Sequence, residues 1–149
     1  MIIITGAAGF IGSYLVSYFN RLGHSDIIIV DEFTREDKLK NLENKQFDRL
    51  LDRDELFPWL RKNGSMISAI IHMGARTDTA EKDREIFERL NLSYSKKIWQ
   101  FCVEADVPLI YASSAATYGL GEFGYSDSHR MIPFLKPLNP YGDSKQDFD

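Results

Sequence analysis

Met1-Ile-Ile-Ile-Thr-Gly-Ala-Ala-Gly-Phe-Ile-Gly-Ser13 opens the chain and decides its fold. The apolar run at residues 2–4 is typical of a buried strand, and the glycines that follow indicate a turn. From Phe10 onward the apolar residues recur at the spacing of a helix. Those that share one helical face are Ile11, Leu15, Tyr18 and Leu22. The stretch therefore predicts a strand, a glycine turn and a helix in direct succession.

The three glycines of this turn are spaced as in sites that bind the pyrophosphate of a dinucleotide. Gly6 allows the tight turn, Gly9 lets backbone N–H groups approach the phosphates, and Gly12 permits close packing of helix on strand. The helix N-terminus adds unpaired N–H donors and a partial positive charge. Because structural turns between strands and helices also contain glycines, a turn without a ligand is the competing interpretation.

The second apolar run, residues 27–30, favours the binding interpretation because it ends in an acid. Asp31 lies 19 residues after Gly12. This is close to the ~20 residues expected before a carboxylate that binds the cofactor ribose. A strand directly before the glycines and an acid at this distance together predict a dinucleotide-binding site.

The composition indicates one globular domain and excludes several classes of protein. The 149 residues carry 18 Lys and Arg against 22 Asp and Glu, so the net charge of −4 offers no basic field to nucleic acid or an anionic membrane. No apolar stretch approaches the ~20 residues that span a bilayer, and residues 1–13 lack the features of a signal peptide. The single cysteine, Cys102, excludes an internal disulfide and is predicted to be buried. We expect a cytoplasmic protein without a metal site.

Strands and helices alternate along the rest of the chain. Strands are predicted near residue 47, at residues 69–72 and at residues 108–112. Helices are predicted at residues 55–62, with Asp54 as N-cap, at residues 83–105 and from Tyr141 onward. This alternation predicts a doubly wound, Rossmann-like parallel sheet that lacks its last strands, within a single dinucleotide-binding domain of residues 1–149. Ligands bind at the carboxyl edge of such a sheet. The residues expected to converge at that edge are Gly6, Asp31, Gly74, Ser114 and Tyr141.

Tyr141 and Lys145 place a phenol and an ammonium one helical turn apart. A tyrosine with an ordinary pKa near ~10 is a poor base at neutral pH, but a close ammonium favours the phenolate. Tyr141 would then accept a proton, and Ser114 would hydrogen-bond the same substrate oxygen. A surface pair without chemistry is the competing interpretation. The upstream phosphate turn favours the catalytic one.

Several motifs together resemble the extended short-chain dehydrogenase/reductase superfamily, and within it the NAD-dependent epimerases and dehydratases. They are Thr5-Gly-Ala-Ala-Gly-Phe-Ile-Gly12, Asp31, His72-Met-Gly-Ala75, Asn91, Ser113-Ser-Ala-Ala-Thr-Tyr-Gly119 and Tyr141-x-x-x-Lys145. Residues 111–119 and 136–142 are most similar to the branch that acts on ADP-linked heptoses. The resemblance implies an isomerase that oxidises a carbon of a nucleotide sugar and reduces it on the other face.

The resemblance also implies which residues form the site. It places Phe10 and Ile11 at the pyrophosphate turn, and it makes Ser114, Tyr141 and Lys145 catalytic. Tyr141 and Lys145 would also contact the cofactor, with Lys145 holding the nicotinamide ribose. The other implied cofactor contacts are Asp31 and Glu32 at the adenosine ribose, Lys38 and Arg53 near the adenosine phosphate, Met73, Gly74, Ala75, Arg76 and Thr77 along the cofactor, and Asn91 beneath the nicotinamide.

The resemblance implies NADP as the cofactor, with NAD as the alternative. An acid at Asp31 ordinarily disfavours the 2′-phosphate of NADP by charge repulsion. Lys38 would offset that repulsion, so we expect NADP.

Relatives in this superfamily are longer, and their C-terminal portions supply the nucleotide-sugar pocket and a second base. We therefore expect these residues to form an N-terminal cofactor-binding portion that is inactive alone and assembles into a homo-oligomer. Two alternatives remain open: a non-catalytic NAD(P)-binding module, and a related UDP-hexose 4-epimerase or nucleotide-sugar dehydratase. Ala115 and Ala116 stand where a dehydratase would carry an acid pair, which disfavours that enzyme.

Overall fold

A computed structural model describes all 149 residues and shows one parallel five-stranded sheet. The strands are β1 (Ile2–Thr5), β2 (Ile27–Asp31), β3 (Arg49–Asp52), β4 (Ala69–His72) and β5 (Leu109–Tyr111). Their order across the sheet is β3-β2-β1-β4-β5, and each neighbouring pair is parallel. The order reverses between β1 and β4, at the position where ligands of such sheets bind. The predicted Rossmann-like fold class is confirmed.

The central strands are continuous apolar runs because helices and loops cover both faces of the sheet. Ile3 and Ile4 of β1 and residues 27–30 of β2 are completely buried. By contrast, β5 forms an edge, and its Ile110 is 65% exposed. The core of the sheet therefore lies around β1, β2 and β4.

Six α-helices accompany the sheet. They are α1 (Phe10–Arg21), α2 (Glu36–Leu39), α3 (Leu56–Asn63), α4 (Arg84–Phe87), α5 (Tyr94–Ala105) and α6 (Pro140–Gln146). A π-helical turn at Glu88–Ser93 joins α4 to α5. Short 3₁₀ turns occupy Lys40–Leu42, Arg53–Glu55, Gly64–Met66, Ala115–Tyr118 and His129–Phe134. None of the helices has the length and apolar character needed to cross a membrane.

Three local predictions differ from the structure. The strand expected near residue 47 lies at Arg49–Asp52, and the helix expected at residues 83–105 is interrupted by the π-helical turn. The prediction that Asp54 caps α3 is wrong. Asp52 instead accepts a hydrogen bond from the backbone N of Asp54, because a 3₁₀ turn precedes the helix.

The apolar stripe that the sequence shows along α1 faces mainly outward. Ile11, Tyr18 and Leu22 are exposed. The residues of α1 that are buried are Gly12, Ser13 and Val16. Small residues are needed at its start because the glycine turn lies directly beneath it.

The chain divides into two compact units. The first, here called the sheet unit, comprises Met1–Gly74 and Gln100–Tyr111 and contains all five strands. The second, here called the C-terminal unit, comprises Ala75–Trp99 and Ala112–Asp149 and contains α4, the π-helical turn and α6.

Candidate functional site

Backbone contacts within the sheet unit explain two of the three glycines in the turn after β1. Gly6 has a φ of +65°, in the left-handed region that favours glycine. A Cβ on Gly6 would lie 2.7 Å from the backbone N of Gly74, and a Cβ on Gly12 would collide with the carbonyl O of Gly6. Both positions therefore require glycine for close backbone packing.

Gly9 has a different environment. It is the N-cap of α1, no side chain caps the helix, and the first turn contains no acidic residue. A Cβ on Gly9 would meet only the carbonyl O of Gly6, at 3.1 Å. Phe10, the first residue of α1, is 88% exposed. An uncovered N-terminus of this kind favours an anion, because its N–H groups and dipole both point outward.

The carboxylate of Asp31 is buried and holds the glycine turn. Its Oδ2 accepts a hydrogen bond from the backbone N of Ala8 at 2.9 Å, and its Oδ1 accepts one from the backbone N of Glu32 at 2.8 Å. The Nζ of Lys38 lies 3.5 Å from Oδ1. The acid at the end of β2 thus fixes the turn and has a nearby compensating charge.

Asn41 is a contact of this turn that the sequence analysis missed. Its Nδ2 donates a hydrogen bond to the carbonyl O of Ala8 at 2.9 Å. Ala8 is therefore clamped on both backbone groups, by Asp31 at the N–H and by Asn41 at the carbonyl. No motif in the sequence indicates this hydrogen bond of Asn41. The bond depends on how the 3₁₀ turn Lys40–Leu42 packs near α1.

Other predicted cofactor residues of the sheet unit follow the carboxyl ends of its strands. The register pairs Asp31 with Asp52, so Glu32 and Arg53 continue from neighbouring strands at one edge. After β4, the backbone N of Met73 donates to the carbonyl O of Thr5 at 3.2 Å. The sheet unit therefore brings the glycine turn, Asp31, Lys38 and the start of the segment after β4 to the same edge.

Asn91 organises the C-terminal unit from the π-helical turn. It is 2% exposed, its Oδ1 accepts from the backbone N of Arg76 at 2.8 Å, and its Nδ2 donates to the carbonyl O of Arg76 at 3.0 Å. The same Nδ2 donates to Ser144 Oγ on α6 at 2.9 Å. Asn91 thus fixes the segment that contains the predicted residues Ala75, Arg76 and Thr77. π-Helical turns occur frequently at functional sites.

Asn139 and Pro140 define the N-terminus of helix α6. The Oδ1 of Asn139 accepts a hydrogen bond from the backbone N of Gly142 at 2.9 Å, and Pro140 occupies the first helical turn. A Cβ on Gly142 would lie 2.9 Å from the carbonyl O of Ala116. Gly142 therefore lets α6 approach the turn that follows Ser114.

The three predicted catalytic residues all belong to the C-terminal unit. Lys145 is 5% exposed, and its Nζ donates to the carbonyl O of Ala112 at 2.6 Å. Burial lowers the pKa of Lys145, and the charge of Asp149 acts in the opposite direction. Ser114 Oγ accepts a hydrogen bond from the backbone N of Ala116 at 3.1 Å, so its own hydrogen remains available for donation. Tyr141 is half-buried.

The parallel strand order and the alternating helices define an α/β protein with a Rossmann-like fold. The chain belongs to the NAD dependent epimerase/dehydratase family, whose profile matches residues 2–149. The resemblance noted from the sequence is confirmed.

Two relatives with the same name are similar to this chain over its whole length. The ADP-L-glycero-D-manno-heptose-6-epimerase of Fusobacterium nucleatum is 46% identical over 153 residues, which cover 100% of this chain and 46% of the relative. The enzyme of the same name from Nitratidesulfovibrio vulgaris is 42% identical, again over 100% of this chain and 47% of its own length. The chain therefore spans about half the length of these relatives.

Solved structures agree with the fold. The ADP-L-glycero-D-manno-heptose-6-epimerase of Helicobacter pylori superimposes with a TM-score of 0.82 at 25% identity, over 99% of this chain and 48% of that one. UDP-glucuronic acid 4-epimerase from Bacillus cereus, solved with UDP-glucuronic acid and NAD, gives a TM-score of 0.76 at 25% identity, over 98% and 49%.

Proposed function

We propose that this chain is the cofactor-binding and proton-transfer half of a nucleotide-sugar epimerase similar to the ADP-heptose 6-epimerases. The observation that carries the proposal is the uncapped N-terminus of α1 at a turn held by Asp31. The first N–H groups of α1, which no side chain caps, suit a pyrophosphate, whereas a Cβ at Gly6 or Gly12 would clash with the backbone of the turn. The residues present therefore fit a nicotinamide dinucleotide.

NADP is the cofactor we propose, and the surroundings of Asp31 support it. Both carboxylate oxygens accept backbone hydrogen bonds, and Lys38 lies 3.5 Å away. The negative charge is thus partly compensated, which weakens its repulsion of a 2′-phosphate.

The sugar chemistry is assigned to the C-terminal unit. When bound, the dinucleotide would accept a hydride from a carbon of the sugar and return it. Tyr141 removes the proton from a sugar hydroxyl and later restores it, while Ser114 donates a hydrogen bond to the same oxygen. Lys145 stabilises the phenolate with its fixed positive charge. An ADP-linked heptose is the proposed substrate, and the two named epimerases that align over the whole chain support it.

Dinucleotide binding is tested by calorimetric titration of the chain with NADP⁺ and with NAD⁺. We expect Gly9→Val to abolish binding, because the new side chain would occupy the position of the pyrophosphate. Arg21→Val is the control, since it introduces the same side chain at an exposed position at the other end of α1. Equal affinity of the wild type and Gly9→Val would refute the proposed site.

The choice between the two cofactors is tested at Lys38. Lys38→Glu removes the charge beside Asp31 and adds a repulsive one, so we expect the preference to shift from NADP⁺ toward NAD⁺. Lys62→Glu makes the same charge change at an exposed position on α3 and serves as the control. An unchanged ratio of the two affinities in Lys38→Glu would remove Lys38 from this role.

A further inference from the structure

Helix α4 and the π-helical turn contact α6 through three side chains on one helical face. Arg84, Phe87 and Asn91 follow one another at spacings of three and four residues, which bring side chains to the same side of a helix. Asn91 donates a hydrogen bond to Ser144 of α6. The Nη2 of Arg84 lies 3.0 Å from Oδ2 of Asp143, which is also on α6. This face therefore packs against the helix that contains the proposed proton-transfer pair.

Phe87 lies between these two polar contacts in sequence and touches the ring of Tyr141. Phe87 is 1% exposed, whereas Tyr141 is half-buried. The two ring centroids are 6.4 Å apart, and the ring planes make an angle of 53°. Aromatic side chains that contact each other have centroid separations of about 4.5–7 Å. The cofactor and proton-transfer roles proposed above do not involve Phe87.

The contact with Phe87 acts on the side chain of Tyr141, because the backbone there is already held. The carbonyl O of Tyr141 accepts a hydrogen bond from Ser144 Oγ, and Asn139 caps the start of α6. Rotation about the side-chain bonds remains, and χ1 of a long side chain in a helix takes two common values. These two rotamers place a phenol hydroxyl at different positions. A proton-transfer group must lie within hydrogen-bond reach of the substrate oxygen, which only a suitable rotamer achieves.

We propose that Phe87 is a positioning residue for proton transfer by Tyr141. Its buried ring holds the phenol in one rotamer, and the ion pair of Arg84 with Asp143 keeps α4 against α6 beside it. A misplacement of ~1 Å can lower a rate about 100-fold, so a neighbour that selects the rotamer affects kcat. The inference rests on the proposed function of Tyr141 and adds to it a residue that acts through that side chain.

Nuclear magnetic resonance of the 149-residue chain tests the positioning directly. In the wild type, three-bond couplings should report one χ1 rotamer of Tyr141, and ring protons of Phe87 and Tyr141 should show a nuclear Overhauser effect. Phe87→Leu should give couplings averaged over two rotamers. Ile98→Ala on α5 is the matched control, since it also removes three carbon atoms from a fully buried side chain, and it should retain one rotamer. Averaged couplings in the wild type, or one rotamer in Phe87→Leu, would overturn the proposal.

The effect on the reaction is measured in a chimera that joins residues 1–149 to the C-terminal half of the Fusobacterium nucleatum relative. Phe87→Leu should lower kcat about tenfold, with KM and NADP⁺ affinity nearly unchanged, because groups that only bind stay in place. Ile98→Ala should retain the wild-type kcat. When Tyr141→Phe is already present, Phe87→Leu should cause no further loss, since the side chain through which it acts has lost its hydroxyl. An equal loss in Ile98→Ala, or a full tenfold loss beside Tyr141→Phe, would contradict the positioning role.

The ion pair is tested in the same chimera by reversing its charges. Arg84→Asp should lower kcat about threefold, because two like charges would separate α4 from α6 and exposed pairs have small effects. Arg84→Asp combined with Asp143→Arg should restore kcat. Arg89→Asp makes the same charge change at an exposed position of the π-helical turn and should leave kcat unchanged. A reversed pair that does not restore kcat would remove the ion pair from the proposal.

Failure of the proposed function gives a different result from failure of this inference. If Tyr141→Phe retains wild-type turnover, the proton-transfer role of Tyr141 is overturned together with the role of Phe87. If Tyr141→Phe lowers kcat and Phe87→Leu does not, only the role of Phe87 is overturned.

Discussion

Tyr141 and Lys145 differ in how far water reaches each side chain. Lys145 is buried and donates to the carbonyl O of Ala112, while Tyr141 is only half-buried. Burial lowers the pKa of Lys145 because a charged ammonium loses hydration. The hydrogen bond to Ala112 thus holds the Lys145 ammonium at one position, while Tyr141 stays partly accessible to solvent.

We expect Tyr141→Phe to lower turnover by about 100-fold or more, because general acid–base catalysis contributes effects of that size. Turnover would be measured in a chimera in which residues 1–149 replace the matching half of the Fusobacterium nucleatum relative. Dinucleotide affinity should remain nearly unchanged, whereas Lys145→Ala should reduce both turnover and affinity. Tyr125→Phe, at an exposed tyrosine, is the matched control. Wild-type turnover in Tyr141→Phe would support the surface-pair interpretation instead.

The sequence predicted where Asp31 lies and that Cys102 is buried, but it did not predict the hydrogen-bond partners of Asp31. The distance from Gly12 placed Asp31 at the correct strand end, but no spacing showed that its carboxylate binds the N–H of Ala8. Hydrogen-bond partners of a buried acid depend on how two strands and a turn meet, which sequence distance does not encode. Cys102 was predicted to be buried, and this is confirmed, because an apolar helical face suffices to indicate burial. Burial raises the pKa of its thiol to about 11.

Helix α6 contains a glycine where helix propensity would favour almost any other residue. Glycine in a helix interior costs about 1 kcal/mol relative to alanine. The structure explains Gly142 by its neighbours: a Cβ there would lie 2.8 Å from Pro137 Cβ and 2.9 Å from the carbonyl O of Ala116. Close approach of α6 to the turn after Ser114 therefore outweighs propensity.

We expect Gly142→Ala to lower the free energy of unfolding by about 1–3 kcal/mol, the usual cost of overpacking. Propensity alone would predict the opposite sign, so denaturant unfolding distinguishes the two effects. Asp147→Ala, at an exposed residue that follows α6, should change stability by less than about 0.5 kcal/mol. A more stable Gly142→Ala variant would show that α6 has room for a side chain at this position.

The stretch at residues 83–105 shows why a helix could be predicted but its irregular turn could not. Apolar residues repeat through the whole stretch, and that repeat indicates a helix whether or not one turn is widened. The π-helical turn at Glu88–Ser93 places Asn91 in hydrogen bonds with the backbone of Arg76 and with Ser144. These partners lie 15 and 53 residues away in sequence, so only the folded chain reveals them.

At the scale of the whole molecule, the sheet has two edge strands, and each contains an exposed apolar side chain. β5 is the last strand in the order, and Ile110 at its centre is 65% exposed. An edge strand offers unpaired backbone N–H and C=O groups to another chain, and an apolar side chain on it adds hydrophobic surface. The other edge, β3, exposes Leu50 by 46%, but the strand begins at Arg49 and ends at Asp52, whose charges oppose such pairing.

We therefore predict that the 149-residue chain self-associates through β5 into a dimer or larger assembly. Light scattering should report this assembly, and Ile110→Lys should shift it toward monomer, because a charge on an edge strand disfavours pairing. Leu22→Lys, at an exposed apolar residue beyond α1, makes the same chemical change away from the sheet and should leave the assembly intact. A monomer at high concentration would contradict self-association through β5.

We also expect no epimerisation of an ADP-linked heptose by the chain alone, since it covers only 46% of the Fusobacterium nucleatum relative. Measurable epimerisation would show instead that Ser114, Tyr141 and Lys145 suffice without the rest of such an enzyme.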